Sequence, residues 1–245
     1  MTQPAPQMST SQAEKGTQNV LPVRTQGSGL RYPSNKKTIY DRNRDRTKNA
    51  ESSRAAFAYM FVEMIRYTQS KVKDMGELES RLNTMGYPIG IRLLELLLAR
   101  STASTSQPPS TRPLRILPLL QFITNNLWRH LFSRPADGLE QSVNNQNEYM
   151  IIDNDPLVSQ YISVPRESKD FNPNAFVAGI IEGVCDASGF TTLGARGMGV
   201  SAHWAAEEDE SGKGGRVMWP DKTIFLIKFA PEVLEREEVL ARSDK

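Results

Sequence analysis

Helices followed by strands, with one helix among them, predict an α+β domain built on an antiparallel sheet. Two observations carry this. Apolar residues recur at spacings of three and four from Ala56 to Leu131. After Glu148, short apolar runs alternate with turn residues, and a single helical stretch lies between them.

The first helix opens behind Ser52 or Ser53 as N-cap and runs to about Lys73. Ala56, Phe57, Met60, Phe61, Met64 and Ile65 form its apolar side. Asp74 caps a second helix, striped by Leu78, Leu82 and Met85. Gly86 is expected to stop it, because glycine accepts the left-handed conformation without a Cβ clash. Pro88 then opens a third helix, carrying Ile91, Leu94, Leu97 and Leu98 to Arg100. Leu114 to Phe132 is a fourth helical stretch, with Leu120, Ile123, Leu127 and Leu131 on one side. Pro118 moves its true start toward that residue.

Glu148–Ile152 and Gln160–Val164 read as strands, broken by Asn154-Asp155-Pro156. A helix from about Asn174 to Gly189 carries Phe176, Ile180, Ile181 and Val184. Val200–Ala205 and Thr223–Phe229 read as two more strands, and Pro231 opens a closing helix. Three polar stretches, near 101–113, 191–199 and 206–221, are expected as loop insertions in one domain spanning 51–245.

Residues 1–50 differ. Only 12 of the 50 are apolar. Such a segment buries too little surface to offset its ordering entropy, so disorder is expected. Between Arg31 and Arg54 stand eight Lys or Arg against three Asp or Glu. That basic run is a solvated segment or a contact for anionic lipid or an acidic partner.

Bulk properties exclude several classes. The net charge of +2 argues against a whole-domain nucleic-acid binder. A single cysteine cannot make an internal disulfide and fits a reducing compartment. MTQPAPQMSTSQ lacks the features of a signal peptide. The longest apolar run, Ala55–Val62, falls far short of the roughly 20 residues that span a bilayer. A cytosolic protein with at most peripheral membrane contact is expected.

Chemistry-bearing motifs fail at their chemical centres. Gly194-Ala195-Arg196-Gly197-Met198-Gly199 spaces two glycines like a phosphate loop, but Val200 stands where the lysine belongs. The stretch also leads into a strand, not the helix of a dinucleotide site. His130 and His203 are far apart and cannot form a zinc site with Cys185 alone. Cys185 sits beside Val184 on an apolar helix, where thiols are commonly inert. No catalytic residue, metal or cofactor is expected.

Phe57, Tyr59, Met60, Phe61, Met64, Ile65 and Tyr67 extend around more than one helix face. A helix apolar beyond one stripe contacts two things. Methionine suits a core and an adaptable interface alike, so Met60, Met64, Met75 and Met85 fit both. Phe57, Met60, Phe61, Met64, Leu78 and Leu82 are the candidate partner interface. The rival is a hydrophobic-ligand pocket among Met60, Met64, Leu94 and Trp128.

Three stretches resemble the small core subunits of the TRAPP vesicle-tethering complex, most closely the subunit-five type. They are Ser53–Arg100 with its turn-like Gly86-Tyr87-Pro88-Ile89-Gly90-Ile91-Arg92, Tyr149–Pro165, and Asn174–Trp204, where FVAGIIEGVCDASGF leads to VSAHW. Their order and spacing carry the resemblance, over most of residues 52–230. It implies helices packed on a twisted antiparallel sheet and pairing with a related subunit through the early helices. It further implies subunit-3-type and subunit-2-type neighbours in a rod-like assembly. That assembly promotes nucleotide exchange on a Rab GTPase in ER-to-Golgi and intra-Golgi transport, with this chain a non-catalytic support. The place implied is the cytoplasmic side of Golgi and ER-derived membranes. The related subunit-three proteins carry a lipidated cysteine in the early helices; here the sole cysteine is Cys185, so acylation is not carried over.

Overall fold

In the computed structural model, Ser53 is extended and its carbonyl accepts the first helical bond, from Phe57 N at 3.1 Å. The structure describes residues 53–102, 112–164, 171–193, 198–205 and 222–243. The chain divides into Met1–Glu51, which lies outside the described residues, and Ser52–Lys245.

Helix α1 spans Arg54–Gln69. It stops short of Lys73 because tight turns follow, with Lys71 N donating to Thr68 O and Val72 N to Gln69 O. Helix α2 is one continuous element, Met75–Thr102, where two helices were expected. Gly86 does not end it, and Pro88 lies inside it. Tertiary packing overrides the local punctuation, and its partner is helix α5, Ala175–Ala187. A Cβ at Gly86 would lie 2.1 Å from Phe176 O, and one at Gly90 2.1 Å from Ile180 O. On α5, a Cβ at Gly179 would meet Asn83 O at 2.0 Å and one at Gly183 would meet Tyr87 O at 2.2 Å. Four glycines therefore let two helices touch backbone to backbone, a contact no larger residue allows.

Between them in the chain, α3 (Ile116–Gln121), a π-helical stretch (Phe122–Leu127) and α4 (Trp128–Phe132) follow without a break. Ile116, Leu119, Leu120, Ile123, Leu127 and Trp128 from this rod are buried. Ser133, in a left-handed conformation at φ 61°, ends it.

Strands β1 (Gly138–Gln141), β2 (Glu148–Asp153), β3 (Val200–Trp204) and β4 (Thr223–Lys228) make an antiparallel sheet in the order β1-β2-β4-β3. The strand expected over Gln160–Val164 is absent from these described residues. Turns replace it, with Ser159 N bonded to Pro156 O and Ile162 N to Ser159 O. β1, four residues long and half polar, takes the edge position beside β2 instead.

The register places Tyr149 opposite Ile227 and Ile151 opposite Phe225 on the face covered by helices. Trp128 meets Phe225 edge-on, with centroids 5.4 Å apart. α5 is buried along most of its length and is the central element of the core. Helix α6, Pro231–Ser243, closes the fold. Arg236 of α6 stacks over the Phe190 ring at 4.4 Å, and Glu237 accepts from Arg115 Nε at 2.8 Å. Among the described residues, no helix is long and apolar enough to cross a membrane. Of the three polar insertions, residues 103–111, 194–197 and 206–221 lie outside the described residues.

Candidate functional site

Helix α1 has two apolar sides with different fates. Its inner side carries Phe61, 3% exposed, which packs on Phe176 of α5 with centroids 5.6 Å apart. Phe57 stacks on Phe61 at 5.8 Å and is half-buried, as are Met64 and Ile65. The last turn is fixed by Thr68, whose hydroxyl donates to Met64 O at 2.7 Å and lies 3.9 Å from Met85 Sδ on α2.

Among the described residues, the outer side has no such core packing. Tyr59 is 80% exposed, Met60 67%, Tyr67 55% and Val62 44%. Ile89 and Ile91 of α2 are also exposed. The helix repeat of 3.6 residues places Met60, Met64 and Tyr67 along one flank, three and four positions apart. This flank and Tyr59 are an apolar surface with rotamer-rich methionine and rigid tyrosines, the side-chain types enriched where chains meet.

Of the six side chains expected at an interface, the structure moves three inward. Phe61, Leu78 and Leu82 are 3%, 2% and 0% exposed. Leu78 and Leu82 pack with Phe171 and Ala175 in a small cluster under the hairpin. These three hold α1 and α2 to the domain and do not face a second chain. The reason is α5: its residues lie about a hundred positions away and cover the side of α1 that periodicity alone leaves open. Phe57 and Met64 line the boundary, and Met60 lies on the surface.

The four side chains weighed as a ligand pocket do not share one environment. Leu94 and Trp128 are fully buried in the core, Met64 is half-buried and Met60 is exposed. Cys185 is fully buried on α5, and burial pushes its thiol far above its ordinary pKa, with Asp186 and Glu182 adding to the effect. It is no nucleophile in this state.

His130 lies on α4 near the surface, and partial desolvation of its ring, followed by the charge of Arg100, lowers its pKa. His203 lies on β3, with its Nε2 2.7 Å from Ser201 Oγ. Neither approaches a nucleophile–base–carboxylate arrangement with Cys185, which is enclosed in the core. Gly199 leads directly into β3 and packs against Thr192; a Cβ there would lie 2.2 Å from its hydroxyl. Residues 194–197 lie outside the described residues. Among the described residues, no three His, Cys, Asp or Glu side chains could hold a metal ion.

Sequence reasoning missed a polar ladder that sets the hairpin's position. Asn83 Nδ2 donates to Glu182 Oε2 at 3.0 Å and to Val200 O at 3.2 Å. One helical turn on, Tyr87 OH donates to Asp186 Oδ2 at 3.1 Å. Asp186 Oδ1 in turn accepts from Thr192 N at 3.0 Å. Burial raises the pKa of Glu182 against hydrogen bonds from Asn83, Gly199 and Val200 that lower it. The available signal was the pair of acids, four apart, within an otherwise apolar helix.

Comparison with known proteins places this architecture. A family model described as "Transport protein particle (TRAPP) component" matches residues 57–230. The chain is 43% identical over 198 residues to "Trafficking protein particle complex subunit 5" of Dictyostelium discoideum, covering 81% of this chain and 95% of that one. It is 34% identical over 210 residues to the Homo sapiens protein of the same name, with 86% and 97% covered. "Trafficking protein particle complex subunit 31" of Saccharomyces cerevisiae is 30% identical over 245 residues, with 78% and 80% covered. Among solved structures, a trafficking protein particle complex subunit 3 from Naegleria fowleri, covalently bound to palmitic acid, superposes with a TM-score of 0.52. That match covers 72% of this chain and 95% of the other at 14% identity, a likeness of fold.

Proposed function

This chain belongs to the TRAPP component family, and from that premise we propose that it is a non-catalytic scaffold subunit of a TRAPP vesicle-tethering complex. The outer side of α1 supports the reading most directly. Tyr59, Met60, Val62 and Tyr67 stand exposed on a helix whose other side is anchored in the core. A related core subunit, of subunit-3 type, covers this surface, and a subunit-2-type chain joins the same assembly. The relatives' names, as subunits of a trafficking protein particle complex, agree with this reading.

Within the assembly the chain supports nucleotide exchange on a Rab GTPase in ER-to-Golgi and intra-Golgi transport. Its contribution is indirect. The buried state of Cys185 and the failure of Gly194–Gly199 to meet phosphate-loop chemistry both favour support over catalysis. Its place is the cytoplasm, peripherally on Golgi and ER-derived membranes, and the positive charge of the Arg31–Arg54 stretch suits anionic lipid.

The test is capture of the tagged full chain from native extract at its natural level, with every bound chain identified. TRAPP core subunits in fixed stoichiometry are expected. A chain that elutes alone, or with no TRAPP subunit, contradicts the proposal.

A further inference from the structure

Among the described residues, helices cover one face of the sheet only, and the opposite face is unusually apolar. Alternation along the strands puts Met150 and Ile152 of β2 and Ile224 and Leu226 of β4 on the side away from the core. The register sets Met150 opposite Leu226 and Ile152 opposite Ile224, an aliphatic block across the two central strands. All four are half-buried, and none is among the side chains packed against the core clusters. A solvated face of an antiparallel sheet ordinarily turns polar at these positions.

The rim is polar and asymmetric. Glu140 of β1 lies beside Met150. Lys228 of β4 closes one end, 3.0 Å from Glu148. His203 of β3 sits beside Ile224.

We propose that this outer sheet face is a second docking surface, and that its occupant is one amphipathic helix of another chain in the assembly. Area selects that occupant over a second copy of this chain. Strand spacing and rise give the face about 15 Å by about 20 Å, on the order of 300 Å². A standard interface takes about 800 Å² from each partner. A single helix, about 10 Å wide, covers the aliphatic block. Rim charge orients it: its basic flank lies over Glu140, and its polar end meets the Lys228–Glu148 ion pair. This surface is separate from the α1 face and rests on the scaffold reading only in requiring that a partner chain exists.

The test places the photo-crosslinking residue p-benzoylphenylalanine at position 226, and separately at position 60, in the full chain captured as its native complex. Position 226 is expected to crosslink to one segment of another chain with apolar residues three and four apart. Ile224→Glu, folded by circular dichroism, is expected to bind that chain about tenfold more weakly, the size of a hot-spot loss. Crosslinks from position 226 to a second copy, to residues 206–221 of the same chain, to a segment without that spacing, or to nothing overturn the proposal. When position 60 still crosslinks a partner, only the sheet-face proposal has failed. When neither position does, the scaffold reading has failed with it.

Discussion

Asn83 of α2 and Glu182 of α5, 99 positions apart, meet in a buried hydrogen bond of 3.0 Å. The same Asn83 amide reaches Val200 O, so one side chain ties the hairpin, the central helix and an edge strand together. The exposed side of α1 is therefore presented from a frame fixed by polar contacts as well as by apolar packing.

That frame carries a pH signature. Burial raises the folded-state pKa of Glu182 above its reference of 4.5. The folded chain then holds the proton more tightly than the unfolded chain. The stability this adds is full below the unfolded pKa and is lost as pH rises through the raised folded value. Glu182→Gln keeps an acceptor for Asn83 and removes the titration. The melting temperature of the variant relative to wild type is expected to climb as pH rises across that window and then level. A difference that is flat with pH contradicts the assignment.

Gly86→Ala and Gly90→Ala test the backbone contact between α2 and α5. An added methyl would meet Phe176 O or Ile180 O at 2.1 Å. In an open helix interior, alanine would stabilise by roughly 1 kcal/mol. Here each change is expected to cost about 1–3 kcal/mol through overpacking. Urea unfolding midpoints measure the sign, and a stabilised variant would show that the helices stand further apart.

Met60→Asp and Phe61→Asp separate surface from core with adjacent residues. Phe61 is 3% exposed, and a carboxylate there would be set against the rings of Phe57 and Phe176. The cost is expected to be several kcal/mol, with loss of the cooperative transition. Met60, 67% exposed, is expected to tolerate the charge with its melting temperature nearly unchanged. Calorimetry of the two variants side by side decides.

Cys185 is expected to resist iodoacetamide in the native chain and to react fully once denatured, because burial raises its thiol pKa and closes access. Mass spectrometry with and without hydroxylamine reports the same point for acylation. A hydroxylamine-sensitive acyl group on the native chain would contradict the packing around α5.

Much of this architecture was legible in the residues. Three- and four-residue spacing located α1 and α5, and short runs bounded by turn residues located β2, β3 and β4. Gly86 and Pro88 misled, because a glycine that ends a helix and a glycine that lets another helix approach look alike until Phe176 is in place. β1 was missed because Gly138–Gln141 is short and half polar and joins the sheet by pairing with β2. The wide apolar arc of α1 was visible, but not which part its own chain covers. Phe61 and Met60 are neighbours in sequence, and the packing of Phe61 on Phe176 of α5 distinguishes them. Asn83 was unreadable for the same reason, since its partner lies on α5.

The central claim is that the outer side of α1 is covered by another subunit. The direct measurement is the dissociation constant between this chain and a subunit-3-type TRAPP chain, for wild type and for Met60→Asp combined with Tyr67→Asp. The account predicts a folded double variant that binds at least about 30-fold more weakly, the loss of a hot spot worth about 2 kcal/mol. A folded variant that binds as tightly as wild type, or a wild-type chain that remains a monomer beside every TRAPP subunit, would contradict it.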